Sequence, residues 1–373
     1  MCRLRYTAAM NLLWLLLWSC AKPVAFSPPE APSVTALPAL RGPVRPLPAR
    51  ETTLRRISFG SCANQRASMP ILRVMADRKP DLVVMLGDNV YGDADSGDAS
   101  LPELRAAYAT LAQHPDFRPL AATVPVLPIW DDHDFGDNDG GGDFPYKQEA
   151  ERIFESFWGV EAPDSRATRP GVYGSWIFGE AGERVQLVLL DTRFFRSDLT
   201  PIPKRQWLKS GRYVPSSATD QDMLGPAQWT WLEQTLKEPA ELRIVVSSIQ
   251  VLAEDHGWER WGLLPTERAR LLGLLHATPN VVLVSGDRHW SSVYRDETGL
   301  TEMTASAINR PSHKSFTETG PNQFTTPYVQ PNFGEVQIDW VARKATLTTH
   351  DAKGISVARV SVDFGGISPD AQQ

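Results

Sequence analysis

An α/β fold is expected from three features of the 373-residue sequence: short, almost continuous apolar runs, amphipathic segments alternating with them, and a polar or reactive residue closing most of the runs. Apolar runs of this length suit strands buried on both faces of a sheet. In order they are RRISFGSC, DLVVMLGD, VPVLPIWDD, ERVQLVLLD, LRIVVSS and NVVLVSGD. Ser68 to Arg78, Leu101 to Gln113, Lys147 to Trp158, Gly225 to Lys237 and Pro265 to His276 carry apolar residues at helical spacing, and several open with proline near the first turn. From Trp290 to Phe364 the pattern changes. VYRDETG, TEMTASAIN, EVQIDW, KATLTTH and GISVARVSV read as short strands joined by turns, as in antiparallel hairpins. Neither an internal repeat nor a second linker divides the chain after Leu54, so residues 54–373 are expected to form one large domain.

Composition supports a folded enzyme-sized core and excludes one class of partner. Hydrophobic residues make up 42% and charged residues 22%, so a substantial interior can be buried. The formal net charge is -6, and no basic run offsets it, which argues against a stable nucleic-acid partner. The oligomeric state is not legible at this level.

The amino terminus reads as a targeting device. Arg3 and Arg5 precede an apolar run from Ala8 through Trp18, the layout of a secretory signal over residues 1–19. The run falls short of the roughly 20 residues that span a bilayer. Leu17-Trp18-Ser19-Cys20 resembles a bacterial lipobox, in which the cysteine is acylated and becomes the new first residue. Residues 20–53 are rich in Pro and Ala and are expected to tether the folded domain to a membrane. The expected location is therefore outside the cytoplasm, on a lipid anchor facing the periplasm or cell exterior, with plain secretion as the alternative.

Chemistry gathers where the apolar runs end. ISFGS ends at Cys62, LVVMLG at Asp88, VPVLPIW at Asp131-Asp132-His133-Asp134, VQLVLL at Asp191, and VVLVSG at Asp287 with His289 beyond it. The carboxyl ends of strands in open α/β sheets are where ligand sites form. One Asp in such a place is often a helix cap or turn residue; five strands delivering Cys, Asp and His to one edge exceed what capping explains. Carboxylates brought together cannot all stay ionised without a cation between them. The mixed set of carboxylate, amide, imidazole, thiolate and phenolate donors suggests two different ions, and paired ions suit phosphoryl transfer.

These motifs resemble the alkaline phosphatase D family, within the calcineurin-like metallophosphatases. The matching pieces are FGSCANQ (59–65), GDNVYGD (87–93), WDDHDFGDND (130–139), LLDTRFFR (189–196), MLGPAQWTWLE (223–233), the stretch 247–261 and SGDRHW (285–290). The superfamily's usual opening Asp-x-His motif is absent, and FGSCANQ in its place selects this branch. The resemblance implies a four-layer α/β/β/α sandwich with mixed sheets and metals at the strand ends. It implies a metal-dependent phosphoesterase acting on phosphate monoesters or diesters through a metal-bound hydroxide, with Fe3+ and Ca2+ as the ions. Cys62, Asp88 and Tyr91 correspond to ligands of the ferric ion, Asp88 bridging to the second. Asp287 and His289 complete the cluster, and either Asp132 or Asn138 supplies the second metal. His133 matches a position that contacts the scissile phosphate or protonates the leaving group; Asn89 and Arg193 are expected at the phosphate, the latter as a bidentate clamp.

Each assignment has a structural alternative. Cys62 could be a small buried apolar residue, Tyr91 a core aromatic and His133 a satisfied structural histidine. Arg193 could instead pair with Asp191 or Asp198, and Asp131 reads as a structural acid. His114, His256 and His276 are expected to be structural or rim residues, while Trp258 and Trp261 are candidates to line a cleft. Alternatives at the level of function are a phosphodiesterase or phospholipase on lipid headgroups, or a lipid-anchored binding protein with a degenerate metal site. The chain has three cysteines, Cys2, Cys20 and Cys62. With Cys2 removed and Cys20 acylated, Cys62 would be an unpaired thiol in an exported protein, which ligation to iron would explain.

Overall fold

The computed structural model describes residues 40–204, 211–254, 256–312 and 319–365. The expected signal segment, Cys20 and residues 20–39 of the expected tether lie outside the described residues.

The chain opens as strand β1 (Arg56–Gly60), helix α1 (Ile71–Asp77), strand β2 (Leu82–Leu86), helices α2 (Pro102–Gln113) and α3 (Phe117–Thr123), and strand β3 (Val126–Ile129). A single-turn helix α4 (Asp132–Phe135) and helix α5 (Lys147–Trp158) follow. Then come β4 (Gly174–Phe178), β5 (Val185–Leu190), two short strands β6 (Thr200–Pro201) and β7 (Tyr213–Val214), helix α6 (Gly225–Thr235), β8 (Leu242–Ser247), helix α7 (Pro265–His276) and β9 (Val281–Ser285). The remaining elements among the described residues are strands: β10 (Ser291–Arg295), β11 (Thr301–Ala305), β12 (Asn332–Asp339), β13 (Lys344–Asp351) and β14 (Ser356–Asp363).

Two six-stranded sheets result, in the orders β14-β13-β12-β1-β2-β3 and β10-β11-β9-β8-β5-β4. Both are mixed. β1, β2 and β3 run parallel, while β12, β13 and β14 extend their sheet as an antiparallel meander. In the second sheet β5, β8, β9 and β11 are parallel and the edge strands β4 and β10 antiparallel. The change of pattern after Trp290 thus marks completion of both sheets, not a new domain.

Side-chain alternation in the second sheet sets the layering. Leu187, Leu189, Ile244, Val246, Val282 and Val284 share one apolar cluster with Phe59, Val84 and Phe333 of the first sheet. Their neighbours Val188, Leu190, Val245 and Leu283 join a separate cluster with Trp229 and Leu232 of α6 and Leu271 and Leu275 of α7. The faces with period two therefore pack on a sheet on one side and on helices on the other. Helices α1, α2, α3 and α5 bury Leu72, Leu104, Phe117 and Phe154 in the cluster of the first sheet. This is the four-layer α/β/β/α sandwich with mixed sheets. Each fully buried aliphatic or aromatic side chain here contributes about 1.5–3 kcal/mol.

One expected boundary shifts. Residues 40–53 do not stand off as tether: Leu40, Val44 and Leu47 pack on the core, Gly42 N donates to Phe157 O at 2.8 Å, and Gly179 N donates to Arg50 O at 2.8 Å. A Pro-rich composition cannot build its own core, but it can lie as an extended strap on one that exists. The packed part of the chain begins by Leu40 rather than Leu54.

Candidate metal centre

The site is assembled where parallel strands end. Gly87 (φ +101°) follows β2, and a Cβ there would lie 2.4 Å from Asp131 Cβ, so only glycine lets the ends of β2 and β3 meet. A Cβ on Gly286, after β9, would lie 2.6 Å from Ser61 Oγ and 3.0 Å from Ser248 O, which brings the ends of β1, β8 and β9 equally close. Immediately beyond these glycines the backbone turns sharply. Nine non-glycine residues among those described have positive φ, and five of them are Cys62, Asp88, Asp139, Asp287 and His289. A left-handed conformation is unfavourable for such residues and accumulates at functional sites. Four of these five, Asp88, Asp139, Asp287 and His289, line a common cavity, and Cys62 lies buried beside it.

Three groups of donors lie within 4.8 Å of one another: Cys62, Asp88 and His289; Asp88, Asp132 and His133; and Asp132, Asp139 and Glu259. Asp88 joins the first two groups and Asp132 the last two. Tyr91 belongs to the first, its hydroxyl donating to Asp88 Oδ2 at 3.0 Å and lying 3.4 Å from His289 Nε2. Cys62 Sγ is 3.7 Å from the Asp287 carbonyl oxygen. The structure thus brings together Cys62, Asp88, Tyr91, Asp132, His133, Asp287 and His289. Asn138 lines the same cavity of about 240 Å³, with Asp88, Asp132, His133, Asp139 and Asp287.

Electrostatics show what the cluster lacks. Burial, aggravated by neighbouring Asp88 or Asp132, pushes the pKa values of Cys62, Asp88, Tyr91 and Asp287 well above their ordinary ranges. Burial, Glu259 and Asp132 push Asp139 up to about 7. Burial alone would depress His133, yet Asp132, Asp88 and the hydrogen bond to Asp93 overcome it and hold the imidazole up to about 11. His289, by contrast, is held down to about 3 by burial and by Arg310 and Arg288, so its ring is neutral and available as a ligand. Asp88 Oδ1 is buried without a hydrogen-bond partner. A buried carboxylate oxygen left bare, amid anionic groups that resist ionising together, is the arrangement a multivalent cation satisfies. The residues present therefore fit a metal centre.

Other strand-end acids serve the scaffold. Asp191 Oδ1 accepts from Trp130 Nε1 at 2.9 Å and from the main-chain N of Arg193 and Phe194, and its Oδ2 accepts from Val172 N. Asp131 Oδ1 accepts from Arg193 Nε and Ser248 Oγ, each at 2.7 Å, and is structural as expected. Asp134 accepts from the main-chain N of Asp88 and Asn89, bracing the loop that carries Asp88.

Three expectations are corrected. Arg193 is not a phosphate clamp: its side chain is 0% exposed, pairing with Asp131 and with Glu259 Oε2 at 2.6 Å, and donating to Gly140 O at 3.2 Å. Neither Asp191 nor Asp198 is its carboxylate partner. Asn89 does not reach the cavity either; its buried amide donates to Ile129 O at 2.8 Å and to Asp134. Trp261 is buried in the outer core, its Nε1 donating to Ser247 Oγ at 2.9 Å, whereas Trp258 does line the cavity. His114, His256 and His276 are engaged with Ala67 O, Gln250 Oε1 and Asp296 Oδ2 respectively, and none of the three belongs to a donor group among the described residues.

Several lining residues were missed. Asp139 ends the WDDHDFGDND motif, and Glu259 lies in HGWERW between the two tryptophans already singled out. Arg288 stands between two candidate ligands, and Arg212 follows a glycine in a segment with no motif. Asp139, Glu259 and Arg288 carried a usable signal, namely membership of a matching stretch. Arg212 is brought in by loop packing.

The sequence profile described as PhoD-like phosphatase matches residues 57–349. No curated protein matches the chain in sequence. Among solved structures, one described as the structure of PhoD is similar with a TM-score of 0.64 at 16% identity, over 86% of this chain and 75% of that one. GAP50, the anchor in the inner membrane complex of Plasmodium, is similar with a TM-score of 0.55 at 13% identity, over 84% of this chain and 90% of that one. At such identities both likenesses bear on the fold.

Proposed function

The chain belongs to the PhoD-like phosphatase family and is a metal-dependent phosphoric ester hydrolase; from that premise we propose a two-metal centre holding one ferric and one calcium ion, acting on phosphate mono- or diesters. The observation that carries this reading is the bare buried Oδ1 of Asp88, a residue common to two donor groups. Cys62, Asp88, Tyr91, Asp287 and His289 would hold the first ion, since thiolate, phenolate and carboxylate together suit a ferric centre. Asp88 with Asp132 and Asn138 would hold the second through oxygen alone, as calcium prefers. When bound, the ions supply Lewis acidity at the phosphoryl group and activate water near neutral pH.

The protein's own groups supply the rest. His133 Nδ1 lies 2.9 Å from both oxygens of Asp93, which fixes the ring and the proton on that nitrogen. With Nδ1 committed, the Nε2 proton is the one His133 can pass to the departing oxygen. Arg288 lines the cavity beside Asp287 and takes the charge-stabilising role expected of Arg193. Trp258 and Trp290 line the same space and shelter it from water. The scaffold acids Asp131 and Asp134 and the buried Arg193 hold these groups in register without touching the ester.

Export and anchoring are part of the proposal, supported by Arg3, Arg5, the apolar run to Trp18 and the cysteine at position 20. Incorporation of labelled fatty acid, abolished by Cys20→Ala, is the expected result.

Metal analysis combined with hydrolysis of 4-nitrophenyl phosphate and bis(4-nitrophenyl) phosphate tests the catalytic reading. Two ions per chain and turnover of at least one ester, lost on chelation and restored by iron and calcium, are expected. Undiminished turnover by the metal-stripped protein would refute it.

A further inference from the structure

We infer that Ser306 is a positioning residue of the metal centre: its buried hydroxyl takes the main-chain N–H of His289 and gives its own proton to the sulfur of Cys62. One side chain thereby fixes two donors that stand beyond the ends of two different strands. The inference rests on the two-metal reading and concerns a residue outside the three donor groups.

The direction of each bond follows from what each group can donate. His289 N lies 2.5 Å from Ser306 Oγ, and a main-chain amide can only donate, so the hydroxyl oxygen accepts there. Its proton is then free to turn toward Cys62 Sγ, 3.7 Å away. Ser61 Oγ lies 3.4 Å from the same sulfur. As a thiol, Cys62 donates to the Asp287 carbonyl oxygen at 3.7 Å; as a ligand it has lost that proton, and the sulfur only accepts. Two fully buried hydroxyls converging on one sulfur exceed what a small apolar cysteine needs and suit a thiolate.

The chain leaving β11 builds this placement. Ser306 N donates to Trp290 O at 3.0 Å, so its main chain and its side chain both grip the segment that carries His289. The residues after it grip the Cys62 turn. Ile308 N donates to Ser61 O at 3.1 Å, and the Asn309 side chain accepts from Asn64 N at 2.7 Å and donates to Asn64 O at 2.9 Å. Cys62 (φ +61°) and His289 (φ +59°) are both left-handed, a conformation that persists only where the surroundings hold it. Ser306 Oγ contacts both of them.

Removing the hydroxyl therefore acts on the first metal site twice. The sulfur loses a donor that draws off electron density, and His289 loses the bond that fixes its backbone. Groups that orient metal ligands in this way are worth about ten- to a hundredfold in metal affinity. The side-chain bonds of Ser306 go to Cys62 and His289, not to Asp132 or Asn138, so the second site should be unaffected.

Competition with citrate for Fe3+ and with EGTA for Ca2+ separates the two sites. In Ser306→Ala iron should bind on the order of tenfold more weakly with calcium affinity unchanged, and Ser306→Thr, which keeps the hydroxyl, should recover most of the loss. Resonance Raman spectra of the iron-loaded protein supply a readout that a merely structural serine would not move. The Fe–S stretch should rise in frequency in Ser306→Ala, as the sulfur donates more strongly to iron, and stay in place in Ser306→Thr. If circular dichroism shows Ser306→Ala unfolded, Ser61→Ala reads the same proton, because transfer to D2O should still shift its Fe–S stretch. Unchanged iron affinity or an unmoved stretch in folded Ser306→Ala, an equal loss of both ions, or no isotope shift in Ser61→Ala overturns the inference. Failure of the two-metal reading looks different and takes the inference with it: the wild type then binds no iron or shows no Fe–S stretch at all.

Discussion

Two regions of the molecule bury carboxylates, and they do so to opposite ends. On β12, Glu335 has a fully buried side chain that accepts from Arg78 Nε at 2.7 Å and Arg78 Nη2 at 2.8 Å, with Arg56 and His350 nearby at 3.6 Å. Burial would raise its pKa, but the Arg78 pair and His350 reverse that and hold it down to about 2. At the strand ends, Asp88 is just as deeply buried yet keeps one bare oxygen, acid neighbours and a left-handed backbone. The first carboxylate has its cations in the chain; the second awaits cations from outside it. Satisfied buried charge serves the fold, and unsatisfied buried charge stores the capacity to bind.

The contrast can be broken from either side. The largest effect is expected from Asp88→Asn: kcat/KM on an aryl ester should fall on the order of 10⁴-fold, several kcal/mol of transition-state stabilisation. Metal content should fall with it, while the thermal midpoint of the metal-free protein stays level or rises because one buried like charge is gone. Retained metal and turnover would remove Asp88 from the centre. Next comes Arg193→Met, which strips the buried Asp131 and Glu259 of their common partner; chemical denaturation should show a loss of about 4 kcal/mol. A stable variant with only KM raised would restore Arg193 as a substrate clamp.

At the other pole, Glu335→Gln should cost about 3 kcal/mol of folding stability with metal content and kcat preserved. The pH dependence follows from its depressed pKa. This contribution is fully present above the unfolded value of 4.5 and drains away as pH falls through about 2. Wild-type and variant denaturation curves should therefore differ at neutral pH and converge near pH 2; a constant gap would mean that the pair is not the source. The smallest effect is expected from Arg310→Gln. The Arg310 guanidinium lies 4.3 Å from the Tyr91 ring centroid, so its removal should change kcat/KM by about two- to fivefold, the worth of a modest cation–π contact.

Legibility followed the range of the interactions involved. The parallel strands were readable because burial on both faces leaves an unbroken apolar run, and the runs ending at Cys62, Asp88, Asp132 and Asp287 marked the functional edge. β4 was missed because GSWIF is short and only partly buried at a sheet edge. Helices α3 and α4 were missed because each is two turns or fewer and carries too little periodicity to register. Arg193 and Asn89 were assigned to the substrate because they sit inside motifs, but motif membership does not reveal which way a side chain turns. Arg193 turned inward because Asp131 and Glu259, distant in sequence, both meet it there.

What the amino-acid sequence determined by itself was the α/β class, the donor types and the edge where they gather, since alternation, run length and strand-end chemistry are local properties. Tertiary structure alone decided which acids remain bare and which are spent. That choice depends on arginines contributed from elsewhere: Arg78 for Glu335, Arg193 for Asp131 Oδ1 and for Glu259, and none for Asp88 Oδ1. It also depends on the meeting of Gly211 with Gly257, which places Arg212 against Trp258. Charge compensation acts over a few ångströms of space between residues far apart in the chain, and no local pattern records it.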